Sequence, residues 1–212
     1  MLHRSVALVV LIALGCAAPL HAQRRPQAGF KAGTSVFTIK DTDGTDFSPR
    51  AGLAASVWVL YPIAGPFGIQ GEAGFITKAV SLTSTILPPG QLPITQEGRL
   101  TFTYFEFPLL LAFEPQTRGR FRYRLTAGPH VALNQDAVAR AKIGDGFGNA
   151  ESVDGVSDQT YGLTAGLMTM WEAGDFGSIA FGLQGSLDLS NLREAEPELR
   201  SRGIFAYVGF SF

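Results

Sequence analysis

A chain of 212 residues with 17 Lys+Arg against 18 Asp+Glu is nearly neutral, which excludes the basic face that a nucleic-acid partner requires. Its mean hydropathy of +0.16 is too high for a disordered chain. With 25 Gly, 16 Phe and only 17% charged residues, the composition departs from that of a helical enzyme and suits one domain behind a processed segment.

The first 22 residues, "MLHRSVALVVLIALGCAAPLHA", predict a cleaved signal peptide. Arg4 supplies the basic n-region, Val6 to Ala18 the apolar run, and Pro19 with Ala22 the cleavage region. The run is too short for a spanning helix of roughly 20 residues. Cys16 after Gly15 suits a lipoprotein signal, but the leucine usual three positions earlier is Ala13. Cleavage after Ala22 leaves one domain, residues 23–212, without cysteine. It then enters an oxidising compartment with no disulfides.

From Pro26 onward, alternation of period two or strand composition predicts strands at about 27–39, 49–61, 66–78, 99–113, 120–133, 158–172, 177–189 and 202–212. No long stretch carries a 3.6-residue apolar period. The stretch 51–69, "AGLAASVWVLYPIAGPFGI", is uncharged and nearly long enough to span as a helix, but Pro62 and Pro66 would each break it. Two strands turning at "YPIAGP" explain the prolines as turn residues.

The gaps alternate in kind. The first, third, fifth and seventh are the polar stretches "KDTDGTDFS", "AVSLTSTILPPGQLPITQEG", "NQDAVARAKIGDGFGNAESVDGV" and "SNLREAEPELRS". The second, fourth and sixth are the tight turns "PIAGP", "EPQTRG" and "EAGDF". A soluble sandwich has no reason to sort its loops so, whereas a transmembrane barrel has short periplasmic turns and longer outer loops. An even strand number puts both termini on the periplasmic side.

Dimensions agree. In the sixth segment Tyr161 and Trp171 share one parity with Leu163, Ala165, Leu167 and Thr169 between them. Ten tilted steps rise about 24 Å, against an apolar band about 25 Å tall with aromatic girdles. The third segment repeats this face with Phe67, Ile69, Ala73 and Phe75, and the fifth with Phe121, Tyr123, Leu125 and Val131. In the last strand Ile204, Ala206, Val208, Phe210 and Phe212 share a face. Opposite faces carry Gln70 and Glu72, Glu106, Arg122 and Arg124, and Gln184 and Asp188. An arginine on the lipid face at the midplane would cost about 2–4 kcal/mol, so these residues are expected to point inward. Trp58 suits either face.

"FTYFEFPLLLAFE" (102–114) resembles the Tyr-x-Glu-x-Pro-Leu-Leu strand of the bacterial outer-membrane protein beta-barrel domain families, the PorT-like group of eight-stranded barrels. "YRLTAGPHVALN" (123–134) is similar to the Gly-Pro strand that follows it there, and "YGLTAGLMTMWE" and "FGLQGSLDLSNL" to the next two. Phe212, with Phe210, resembles the C-terminal signal of that group, which implies the outer-membrane barrel assembly machinery as a partner. The resemblance implies a location and no particular activity.

Chemistry is sparse. With the signal removed, His130 is the remaining histidine. Outer-membrane lipid A deacylases place a histidine and a serine two apart on one strand, but here position 132 is Ala, so the nucleophile is absent and His130 suits a hydrogen-bonded wall residue. "DTDGTD" (41–46) and "GDGFGN" (144–149) have the letters of cation loops without an EF-hand frame, and Asp and Gly equally favour turns. No catalytic, cofactor or metal residue is expected. Eight strands leave an interior that side chains just fill, so Glu72, Glu106, Arg122, Arg124 and Asp188 are expected to form a paired network that closes the lumen rather than a conducting path.

The expectation is therefore all-β: an eight-stranded antiparallel up-and-down transmembrane β-barrel in an outer membrane, with Tyr161 and Trp171 in its aromatic girdle. Its role is structural or a surface interaction, with an extracellular ligand at loops 79–98 and 134–157. A lipid A-modifying enzyme using His130 and a narrow small-solute channel are the alternatives.

Overall fold

The computed structural model describes residues 25–41, 47–86, 94–117, 119–143, 146–153, 155–192 and 199–212. The expected signal peptide, with Cys16, lies outside the described residues, as do 42–46 and 144–145 of the two Asp-Gly stretches.

Eight long strands follow in order: β1 (Gln27–Asp41), β2 (Phe47–Ala64), β3 (Phe67–Ile86), β4 (Ile94–Phe113), β5 (Phe121–Ile143), β6 (Gln159–Glu172), β7 (Ser178–Asp188) and β8 (Leu199–Ser211). Each pairs antiparallel with the next, and β1 pairs with β8 from Gly29↔Ser211 to Asp41↔Leu199, which closes the sheet. Closure removes the free edges that hydrocarbon cannot tolerate. The stretch 51–69 is two strands meeting at a turn, where Gly65 takes a φ of +55°. That conformation is open to glycine at little steric cost.

Polarity is inverted relative to a soluble protein. Outward positions expose Leu53 (67%), Leu109 (58%) and Leu111 (56%), with many more around the wall, while Lys31, Lys78, Glu72, Arg124 and Asp188 lie buried inside. No soluble protein leaves so continuous an apolar surface bare. A hydrocarbon environment makes the same distribution favourable, and period-two alternation produces it on every strand.

Three strands run further than their apolar alternation. β3 continues to Ile86, β4 begins at Ile94 and β5 continues to Ile143, so most of 79–98 and the first part of 134–157 are strand rather than loop. Beyond the bilayer both faces of a hairpin are wet, so backbone pairing persists (Leu82↔Gly98, Ile86↔Ile94) where the apolar period has stopped. A register shift opposite Thr103 and Tyr104 admits Gln135 as an extra residue and reverses the parity of β5 above it. The chain then folds back on β5 through two short strands, Gly146–Phe147 and Glu151–Ser152.

Trp58 faces the lumen and is 1% exposed. Its cross-strand neighbour is Gly29, where a Cβ would lie 2.6 Å from the indole and 2.2 Å from the Phe210 carbonyl oxygen. Gly29→Val is expected to lower unfolding stability by about 1–3 kcal/mol through overpacking, read as a lower urea midpoint in detergent micelles.

Candidate functional site

The lumen holds the polar chemistry of the chain, arranged in three levels. At the end bearing the short turns, Arg124 donates from Nε (2.9 Å) and Nη2 (2.8 Å) to one oxygen of Glu114, from Nη1 to Gln70 (3.0 Å) and from Nη2 to Gln27 (2.6 Å). Its guanidinium lies 4.7 Å from the Trp58 ring. Arg122 sits nearer the mouth, with Glu114 at 3.3 Å, Glu172 at 3.4 Å and the Ser178 hydroxyl at 2.9 Å. A cavity of about 570 Å³ opens outward there, lined by Gln27, Glu114, Arg122 and Ser178 among others.

The middle level is built on Lys31. Its ammonium meets both oxygens of Glu72, at 2.9 and 2.8 Å, donates to Gln184 and lies 4.7 Å from the Tyr207 ring. Gln70 donates to Glu72 (2.7 Å) and accepts from Arg124, which links the two levels.

The third level is built on Asp188. Its Oδ2 accepts from Lys78 (2.6 Å) and Ser201, and its Oδ1 accepts from His130 Nε2 (3.1 Å). His130 Nδ1 then accepts from the Thr164 hydroxyl (2.9 Å). Lys78 also faces Glu106 at 3.7 Å. Between the middle and third levels a cavity of about 20 Å³, lined by Glu72, Glu106 and Gln184, has room for about one water molecule. Above the third level Leu192 is buried in the apolar cluster, with Phe47, Leu100, Val153 and Val156 packed against it. The described side chains thus occupy the lumen from the turn-end cavity to an apolar cluster.

Of the five residues singled out from sequence, Glu72, Glu106, Arg124 and Asp188 are buried in this column and Arg122 lies at its mouth. They do not pair with one another. Lys31, Lys78 and Glu114, which sequence pattern did not single out, supply the counter-charges. Lys31 and Lys78 each sit on the parity opposite outward neighbours, a signal the alternation contains. Glu114 follows the last residue of β4 and looks like part of a polar turn.

Thr164, His130 and Asp188 have the connectivity of a nucleophile, base and orienting acid, contributed by three strands. Sequence spacing could not show this, since the hydroxyl comes from β6 and position 132 is a buried Ala. Exposures of 2%, 1% and 1% leave no approach for a substrate.

Tyr161 and Trp171 lie outward on β6, 56% and 39% exposed, with Trp171 opposite Phe121. Phe210 and Phe212 pack with Phe30 at the turn end.

A model of the outer membrane protein beta-barrel domain matches residues 19–194. The chain belongs to that family. Its barrel is accordingly an outer-membrane protein of bacteria. No curated protein matches the sequence. Similar solved structures include Neisserial surface protein A, 13% identical, covering 88% of this chain and 97% of that one with a TM-score of 0.49. OprG of Pseudomonas aeruginosa is 12% identical, covering 89% and 97% with a TM-score of 0.46. Ail, the attachment invasion locus protein of Yersinia pestis, is 12% identical, covering 89% and 100% with a TM-score of 0.45.

Proposed function

We propose that this outer-membrane barrel is a closed, non-enzymatic protein that acts at the cell surface through the hairpins opposite its termini. The observation that supports this reading is that, among the described residues, three levels of buried ion pairs and an apolar cluster occupy the lumen. Both termini and the short turns are then periplasmic, Phe210 and Phe212 are contacts for the barrel assembly machinery, and membrane lipid surrounds the wall. The buried Thr164–His130–Asp188 set is structural on this reading. His130→Ala in the host is expected to leave lipid A unchanged, judged by mass spectrometry of the extracted lipid; a changed lipid A would restore the enzyme alternative.

Three of the four lysines of the chain test orientation and closure together. Lys142 is exposed on the long β5 hairpin, at 2.8 Å from Glu97, whereas Lys31 and Lys78 are inside. A membrane-impermeant amine reagent applied to intact cells is expected to label Lys142 and to spare Lys31 and Lys78. Labelling of Lys31 or Lys78 would contradict closure, and labelling of Lys142 only after rupture of the outer membrane would contradict the orientation.

A further inference from the structure

Arginines gather on the hairpin end without acids between them. Register places Arg99 directly opposite Arg140 and directly opposite Ser81 on its other side. Arg50 reaches that serine, its Nη1 donating to Oγ at 3.4 Å. Arg99 and Arg140 thus share one cross-strand row, and Arg50, whose register partner is Ala79, reaches into it diagonally, which gathers three guanidinium groups over β2 to β5. Like charges directly opposite in a sheet are destabilising, so the row needs a reason.

Among the described residues, the lumen cations Lys31, Lys78, Arg122 and Arg124 each have a carboxylate partner. Among the described residues Arg50, Arg99 and Arg140 have none. The near carboxylate, Glu97, is engaged by Lys142 at 2.8 Å. Arg99 is held in place by the Phe147 ring, 3.4 Å from its guanidinium carbon, and its Nε is buried with no protein acceptor. Loss of hydration, then Arg50 and Arg140 beside it, pull the Arg99 guanidinium below its ordinary range, partly offset by Glu97. An oriented, mutually repelling row with an unused donor is a place where an oxyanion would relieve repulsion. Guanidinium forks match phosphate oxygens in pairs.

The height of the row selects the ligand. The outward apolar face ends at Phe75, Phe105 and Leu133, which lie directly opposite one another in register. Arg99 is six residues beyond Phe105, about 14 Å further along the barrel axis. The headgroup layer adds only about 5–8 Å to each side of the hydrocarbon. The row therefore clears the phosphates of an ordinary phospholipid.

We propose that Arg50, Arg99 and Arg140 form a binding site for a ligand with closely spaced phosphate groups presented beyond the lipid headgroups. This deepens the proposed surface role and rests on it for the side of the membrane, but the site itself can be read in either orientation. The test uses the full barrel in uncharged detergent with inorganic triphosphate as the probe. Titration calorimetry is expected to show binding that weakens with salt, and triphosphate is expected to raise the melting temperature. Arg140 makes no contact that holds the fold, so Arg140→Gln is expected to melt higher than the parent without the anion, to bind at least tenfold more weakly and to lose the upward shift. Arg25→Gln at the opposite end is expected to bind as the parent does. In phosphatidylcholine vesicles, added phosphatidylglycerol is expected to leave triphosphate affinity unchanged; competition by that lipid would overturn the placement beyond the headgroups. No binding to the parent, or equal binding to Arg140→Gln, would overturn the site. A site that binds while Lys142 proves periplasmic would leave this inference standing and overturn the orientation alone.

Discussion

Asp188→Ala is expected to destabilise the folded barrel by about 3–5 kcal/mol, the usual result of removing one partner from a buried ion pair. Asp188 is 1% exposed and holds three side chains from three other strands: Lys78 on β3, His130 on β5 and Ser201 on β8. Its loss leaves the Lys78 ammonium with the Ser201 hydroxyl, at 3.2 Å, and one more distant carboxylate, Glu106 at 3.7 Å. The Lys78→Met, Asp188→Leu pair removes both charges and is expected to recover part of the loss, because the Lys78 ammonium is no longer orphaned while His130, Ser201 and Glu106 still lose a partner. Urea midpoints in micelles, with unchanged denaturant slope, measure both variants. Equal instability of the single and double variants would show that the pair itself, rather than an orphaned charge, sets the loss.

Arg124→Ala is expected to be of the same size, about 3–5 kcal/mol, for a different mixture of reasons. The substitution orphans part of Glu114 and removes the Arg124 donors to the side-chain oxygens of Gln70 and Gln27. It also empties the volume beside Trp58. Arg124→Lys keeps the charge but cannot make four directed bonds from one planar head, so it is expected to recover only part of the stability. Full recovery by lysine would mean that charge alone, and not the fork geometry, holds this level. Heat-dependent mobility on a denaturing gel gives the ranking directly: the parent is expected to unfold at the highest temperature and Arg124→Ala at the lowest.

How far residues alone carry the account differs between wall and lumen. The wall was legible because lipid imposes one rule on each strand, so Leu163 to Trp171 and Ile204 to Phe212 show both the strand and the face that meets hydrocarbon. Above the bilayer that rule lapses, which is why Leu82 to Ile86 and Ala137 to Ile143 resembled loops while they pair as strands. Inside, parity told which residues face inward but not at what height they meet. Arg124 finds Glu114 rather than Glu72, and Lys31 finds Glu72 from 41 positions away, because strand stagger sets those distances. Trp58 was ambiguous on its own and is explained by Gly29 across the β1–β2 pair, a dependence that appears only once register is known. The arginine cluster is of the same kind, since Arg99 and Arg140, 41 positions apart, become neighbours only through pairing, and Arg50 reaches them only through Ser81 on the strand between.

On the proposed function, paired charges and an apolar cap close the lumen. Planar-bilayer recording of the purified barrel tests it most directly. A closed lumen gives a silent bilayer at moderate salt and voltage, with protein insertion verified by heat-dependent gel mobility of the same sample. Steady, uniform conductance steps from the inserted parent would contradict it and make the Arg124 and Lys31 levels part of a conducting path.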